Sequence, residues 1–228
     1  MLQTPDKDSR LRGFEPRAFA KPRSPLQLSP SAPLLQLREI RLGFAHQPLF
    51  ANLNFELGPS ERVFIRGPVG AGKSSLLRLI SGDLQADSGT RFCPLKETEI
   101  ELLPQFRFQS QHLNFLLGEW AESSGSEHPL QIELLTPKQR KLAWNSASGG
   151  EKTLCLLEAC LRRQPKLLLF DEVLGNLDST TAAQAEEGIL EYSRRFPKSS
   201  MLLVDHHRVA DWATGVYELS AGQLYAVR

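Results

Sequence analysis

A chain of 228 residues, 41% hydrophobic and 23% charged, can bury one sizeable core with a small appended lobe. Its formal net charge of +1 gives no global reason to expect nucleic acid or an acidic membrane surface as partner. No apolar run approaches the roughly 18–20 residues that span a bilayer. Three cysteines without a CxxC pair (Cys93, Cys155 and Cys160) argue against a disulfide framework or a zinc site and point to a reducing compartment.

Residues 1–33 hold six of the 15 prolines and carry six basic and three acidic side chains. They show no helical or alternating period and no apolar stretch of a secretory signal, so they read as a disordered basic tail. The expected folded domain is 34–228. From Leu34 onward, short apolar runs predict strands at Leu35–Ile40, Val63–Arg66, Glu99–Leu103, Lys166–Phe170, Met201–Val204 and Val216–Leu219. Helical patterns fall between them, at Ser74–Ser81, Gly149–Arg163 and Thr180–Phe196. The alternation predicts an α/β fold: a mainly parallel sheet with helices on its faces and an antiparallel edge from the N-terminal strands. Gly118, Gly125, Pro129 and Pro137 break the helical stretch Ser110–Trp144, which suits a small helical lobe inserted at about 106–160.

The sharpest chemical signal is Gly67-Pro68-Val69-Gly70-Ala71-Gly72-Lys73-Ser74, which satisfies GxxxxGK[ST]. It follows a predicted strand and opens the helical pattern Ser75–Ile80, the context that the motif requires. Glycines let backbone N–H groups turn inward around phosphate oxygens, and the helix aims its positive end at them. Gly67 through Ser75 therefore form a nucleotide cradle, in which Lys73 reaches the β- and γ-phosphates and the Ser74 hydroxyl is a candidate Mg²⁺ ligand. The apolar strand Lys166–Phe170 ends in Asp171-Glu172. Asp171 is suited to hold Mg²⁺ through water, and Glu172 to polarise an attacking water as general base. A strand ending in two solvated acids is the plain alternative.

Between these motifs stands Ala147-Ser148-Gly149-Gly150-Glu151. It resembles the LSGGQ/E signature of ABC ATPases, and further matches follow in family order. Phe44 stands where the family puts an aromatic that stacks on adenine, although a core aromatic is the other reading. Leu103-Pro104-Gln105 looks like the glutamine loop, Asn176-Leu177-Asp178 like the D-loop, and Asp205-His206 like the switch histidine. The resemblance covers about 34–228. It implies a P-loop cassette that binds ATP and Mg²⁺, with Glu172, His206 and Gln105 acting in hydrolysis and Ser74, Gln105 and Asp171 on the metal. It further implies two cassettes packed head to tail, so that Ser148, Gly149, Gly150 and Asp178 of one meet nucleotide held by Lys73 of the other.

The resemblance implies the separate ATPase subunit of a transporter, lying on the cytoplasmic face of the inner (plasma) membrane. Its partners would be a transmembrane permease and a second cassette, identical or different; no nucleic acid is expected. Ala147, Leu154 and Val173 depart from common family residues but remove no phosphate ligand, metal ligand or base. A soluble ABC ATPase serving assembly, repair or cell-wall machinery, and a weakly hydrolysing regulatory cassette, are the alternatives. Aromatic Phe106, Phe108, Phe115 and Trp120 beside the glutamine loop are expected either to face the permease or to fill the lobe's core.

Overall fold

Hydrophobic alternation along the strands decides how the layers stack. The structure is a computed structural model and describes residues 32–44, 47–105, 115–123, 132–175, 177–205 and 211–227. Nearly all of the expected tail, with Phe106, Phe108, Asn176 and His206, lies outside the described residues. The strands are β1 (Leu35–Phe44), β2 (Gln47–Leu57), β3 (Arg62–Arg66), β4 (Ser88–Phe92), β5 (Ile100–Leu103), β6 (Leu167–Asp171), β7 (Ser200–Val204), β8 (Gly215–Ser220) and β9 (Gln223–Ala226). The helices are α1 (Lys73–Ser81), α2 (Leu117–Glu122), α3 (Pro137–Arg140), α4 (Gly149–Arg162) and α5 (Ser179–Arg195).

Six strands form one sheet in the order β5-β6-β7-β3-β8-β9, parallel except for the β8–β9 hairpin. Because neighbouring strand residues face opposite sides, each central strand feeds two cores. Val63, Ile65, Leu167, Leu169, Leu202 and Val204 pack on α1 and the N-terminal strands. Phe64, Leu168, Phe170, Met201 and Leu203 pack against α2, α4 and α5. Strands covered on both faces read as continuous apolar runs, which is why β3, β6 and β7 are visible in the sequence.

The N-terminal antiparallel part is a sheet of its own, in the order β2-β1-β4, and the antiparallel edge of the main sheet comes from β9 instead. Glu39 at φ 52 marks an irregularity in β1, where the register with both neighbours shifts. The expected broken lobe is represented by α2, α3 and a 3₁₀ turn at Trp144–Ser146, which packs beside α4 through Leu117, Ala121 and Trp144.

Candidate nucleotide site

Three adjacent strands deliver the site. In the order β6-β7-β3, β6 ends at Asp171, β7 runs into Asp205, and β3 opens into the Gly67 loop. At about 4.8 Å per strand, the backbone ends of β6 and β3 lie about 10 Å apart, with the end of β7 between them, a gap that side chains can bridge. Ligands of open α/β sheets bind at this carboxyl edge.

The loop enters α1 through Gly72, at φ 97, with no side chain capping the helix. No side-chain cap therefore competes with an anion at this helix start. A β-carbon at Gly72 would also come within 3.0 Å of the Leu49 side chain, so the β1–β2 hairpin presses directly on the loop. Phe44, at the end of that hairpin, is 52% exposed, which overturns the core reading of this ring. Val69 is an exposed tip of the loop, and the Ser74 side chain also lies at the surface.

Lys73 is folded back on its own loop, donating to the carbonyl oxygens of Gly67 (2.9 Å) and Pro68 (3.1 Å). Its ammonium lies 3.9 Å from the Glu172 carboxylate. Burial pushes its pKa below the ordinary lysine value, against the opposing pull of Glu172, Asp171 and Asp205. A buried cation that leans on carbonyls and carboxylates is prepared to exchange them for phosphate oxygens.

Glu172 has φ 51, a backbone conformation that L residues rarely adopt. Gln105, just past β5, donates from Nε2 to Glu172 Oε2 at 2.8 Å, so the expected glutamine and glutamate meet. Asp171 is buried and its Oδ1 has no hydrogen-bond partner. A buried, unpaired carboxylate oxygen beside a phosphate loop fits a hydrated cation. Among the described residues no group of three or more His, Cys, Asp or Glu is arranged to hold a metal. A divalent cation here would rely on one carboxylate, a hydroxyl, an amide and the nucleotide itself, the sparse protein ligation that suits Mg²⁺.

Ser148, Gly149 and Gly150 form the start of α4. The Ser148 hydroxyl accepts from the Glu151 amide (3.2 Å), while the Glu151 carboxylate accepts from the Ser148 amide (2.8 Å) and hydroxyl (2.9 Å). This reciprocal cap orients the helix end. A cavity of about 180 Å³ lies between this turn and the carboxylates, lined by Gln105, Gly149, Gly150 and Glu172 among others. Asp178 caps α5, accepting from the Thr180 and Thr181 amides at 3.1 Å.

Sequence reasoning gave no role to Asp205, which is buried and acts on Lys73. An acid directly after an apolar strand was the available signal. Nor did it single out Glu158, a charged residue inside the apolar run Leu154–Leu161 and fully buried in α4.

A phosphate loop on β3, paired carboxylates on β6 and a second glycine turn opening α4 make this a P-loop nucleotide-binding protein of the cassette type. The family model described as "ABC transporter" matches residues 50–175, more than half of the chain. The zinc import ATP-binding protein ZnuC of Acinetobacter baylyi is 29% identical over 79% of this chain and 71% of its own length. The aliphatic sulfonates import ATP-binding protein SsuB 2 of Rhodococcus jostii is 30% identical over 79% and 74%. The lipoprotein-releasing system ATP-binding protein LolD of Legionella pneumophila is 26% identical over 81% and 92%. Among solved structures, an ATP-bound bacterial Atm1-family ABC exporter superposes with a TM-score of 0.68 at 22% identity, over 86% of this chain and 38% of that one, a likeness of fold. The chain belongs to the ABC transporter family, as one of its ATP-binding cassettes, and is an ATPase.

Proposed function

We propose that this chain is the ATP-hydrolysing subunit of an ABC transporter, dimerising head to tail around two Mg-ATP to power a separate membrane permease. The observation that carries the reading is the meeting of Lys73, Glu172 and Gln105 at the carboxyl edge of the sheet. Among the described residues no helix is long and apolar enough to cross a membrane; this reading gives the crossing to the permease and seats the cassette on the membrane's cytoplasmic face. The relatives above are named for zinc, sulfonates and lipoproteins; in this reading the cassette's own site residues meet nucleotide and leave the cargo to the permease.

ATP enters with its phosphates against the amides of Gly67–Ser75 and its adenine on the exposed Phe44 ring. Lys73 leaves the carbonyl oxygens of Gly67 and Pro68 for the β- and γ-phosphates, trading two neutral acceptors for charged ones. Glu172 thereby loses its cation and, held by Gln105, accepts a proton from the water that attacks the γ-phosphate. Ser74, Asp171 and Gln105 would hold Mg²⁺, which when bound neutralises charge on the phosphate oxygens. His206 would follow β7 to the γ-phosphate. Ser148, Gly149 and Gly150 of the second cassette offer amides and a positive helix end to the same phosphate, and its Asp178 borders it. ATP so joins the two copies, and hydrolysis releases them.

The purified chain should release phosphate from ATP only with a divalent cation, and Lys73→Ala should abolish both nucleotide binding and turnover. A multi-span membrane protein should co-purify from the native host's membranes. Turnover undiminished in Lys73→Ala would overturn the site. Active ATPase with only soluble partners in the native host would favour a non-transport ABC ATPase.

A further inference from the structure

Glu158 is an anomaly in its own helix. It lies ten residues after Ser148 on α4, is fully buried, and sits among Leu154, Cys155, Leu157 and Leu161. Two arginines pair with its Oε1, Arg162 at 3.1 Å and Arg140 in close contact. Its Oε2 accepts from the backbone amides of Leu134 (2.8 Å) and Leu135 (3.1 Å). Exchanging Glu158 and both arginines together for apolar residues would change stability little, whereas losing Glu158 alone would strand both arginines and both amides. What Glu158 does is fix the 132–135 segment to α4.

The other side of that segment grips α5. A β-carbon on Gly188 would fall 2.2 Å from Leu134 Cδ2, so the leucine fills the notch that this glycine leaves. The Leu134 carbonyl also accepts from the Gln184 side-chain Nε2, one turn earlier on α5. Near the helix starts there is a second contact. A β-carbon on Gly150 would lie 3.2 Å from Thr181 Cγ2, and the Thr181 hydroxyl donates to Asp178 at 2.6 Å. The two contacts are eight residues apart on α4 and seven on α5, about 11 Å at 1.5 Å per residue. One contact between helices permits rotation about it; two that far apart do not.

We propose that Glu158, Leu134 and Gly188 form a clasp of positioning residues that holds the Ser148-Gly149-Gly150 turn in register with the Asp178 cap of α5. The turn that meets the partner's nucleotide then moves with the helix start that borders the same shared site. The inference rests on the head-to-tail sandwich proposed above, and its role is in assembling the shared site rather than in binding ATP.

The test uses the full chain carrying Glu172→Gln, which retains ATP. Adding Gly188→Ala should leave Mg-ATP affinity of the monomer within twofold, because the Gly67–Ser75 loop is untouched. The dissociation constant of the ATP-dependent dimer, read by analytical ultracentrifugation, should rise at least tenfold. Leu134→Val in the same chain shortens the leucine that the new β-carbon meets and should recover most of that loss; a dimer no tighter than with Gly188→Ala alone would overturn the clasp. Should Gly188→Ala fail to fold, Gln184→Met, at a half-buried side chain that bonds the Leu134 carbonyl, should fold and weaken the dimer in the same direction. A variant less stable but dimerising as tightly as its parent would overturn the clasp. If the parent binds ATP and never dimerises, the sandwich reading fails instead, and the clasp is judged by amide exchange at Gly149–Glu151. That exchange should be at least tenfold faster in Gly188→Ala, and unchanged exchange overturns it.

Discussion

Glu172→Gln separates the two jobs that Glu172 performs. The glutamine keeps an oxygen to accept the Gln105 bond but has no charge to hold Lys73 and no basicity to take a proton. The Lys73–Glu172 distance of 3.9 Å corresponds to about 4 kcal/mol of attraction at an effective dielectric of about 20, which is a ceiling. Asp171 and Asp205 also act on Lys73, and a partly solvated pair loses much of its attraction to water. A net cost of about 1–2 kcal/mol to the nucleotide-free fold follows. For a domain of this size that is a melting temperature lower by roughly 2–8 °C. Mg-ATP supplies Lys73 with phosphate oxygens, so its stabilising effect should be larger in the variant than in the native chain. Turnover should fall about 10²–10⁴-fold, the usual contribution of a positioned base. Differential scanning fluorimetry with and without nucleotide reads the first effect and phosphate release the second. Near-native hydrolysis would refute the general-base assignment; an unchanged nucleotide-free melting temperature would refute the pairing with Lys73.

Because burial lowers the Lys73 pKa, metal-free ATP affinity should decline with rising pH before an ordinary lysine would lose its proton. Glu172→Gln should move that decline to still lower pH, because Glu172 opposes the shift; calorimetric titration across alkaline pH checks both. Asp178→Ala removes the cap of α5 and should lower the melting temperature by about 2–4 °C at neutral pH. The Thr181 hydroxyl holds the Asp178 carboxyl below its ordinary pKa, so this contribution is present above the unfolded carboxyl's pKa and is lost as pH falls through the folded value. The difference between variant and native melting curves should therefore close in acid. Trp120 is 40% exposed and stacked on Phe115 at 5.0 Å; Trp120→Glu should abolish permease co-purification while sparing basal hydrolysis, and unfolding would show that the ring serves the lobe's core.

What the sequence announced, and what it did not, follows from burial. Strands β3, β6 and β7 are covered on both faces and reveal themselves as apolar runs, and the phosphate loop is legible because its glycines and lysine have no cheap substitute. Strand β4, Ser88–Phe92, is exposed throughout and carries no apolar face to read. In β2, Leu53, Phe55 and Leu57 alternate with Asn54 and Glu56, but the exposed pair Ala51 and Asn52 breaks that alternation behind Phe50, and pairing with β1 holds the strand through the break. The meeting of Gln105 with Glu172 joins residues 67 positions apart, a proximity that only the adjacency of β5 and β6 creates. The N-caps Ser148 and Asp178 show how a single residue serves two ends. Each stood out as a family motif, and each also satisfies the amides of a helix start.

That double use sets a condition on how the Ser148 turn can meet a phosphate. The Ser148 hydroxyl and amide are both bonded to the Glu151 carboxylate, and the Ser148 amide is foremost in holding that carboxyl below the ordinary glutamate range. Near neutral pH a negative charge therefore stands at the helix end where the partner's γ-phosphate would arrive. Glu151→Gln keeps the reciprocal cap, since glutamine serves equally at this position, and removes the charge. If Ser148 meets a phosphate, the ATP-dependent dimer should tighten about three- to tenfold at low salt with little change in melting temperature. Glu151 is only half-buried, so salt should screen the gain, and it should shrink markedly near 1 M, where the Debye length is about 3 Å. A dimer unchanged by Glu151→Gln at low salt, measured by light scattering, would mean that no phosphate approaches this helix end.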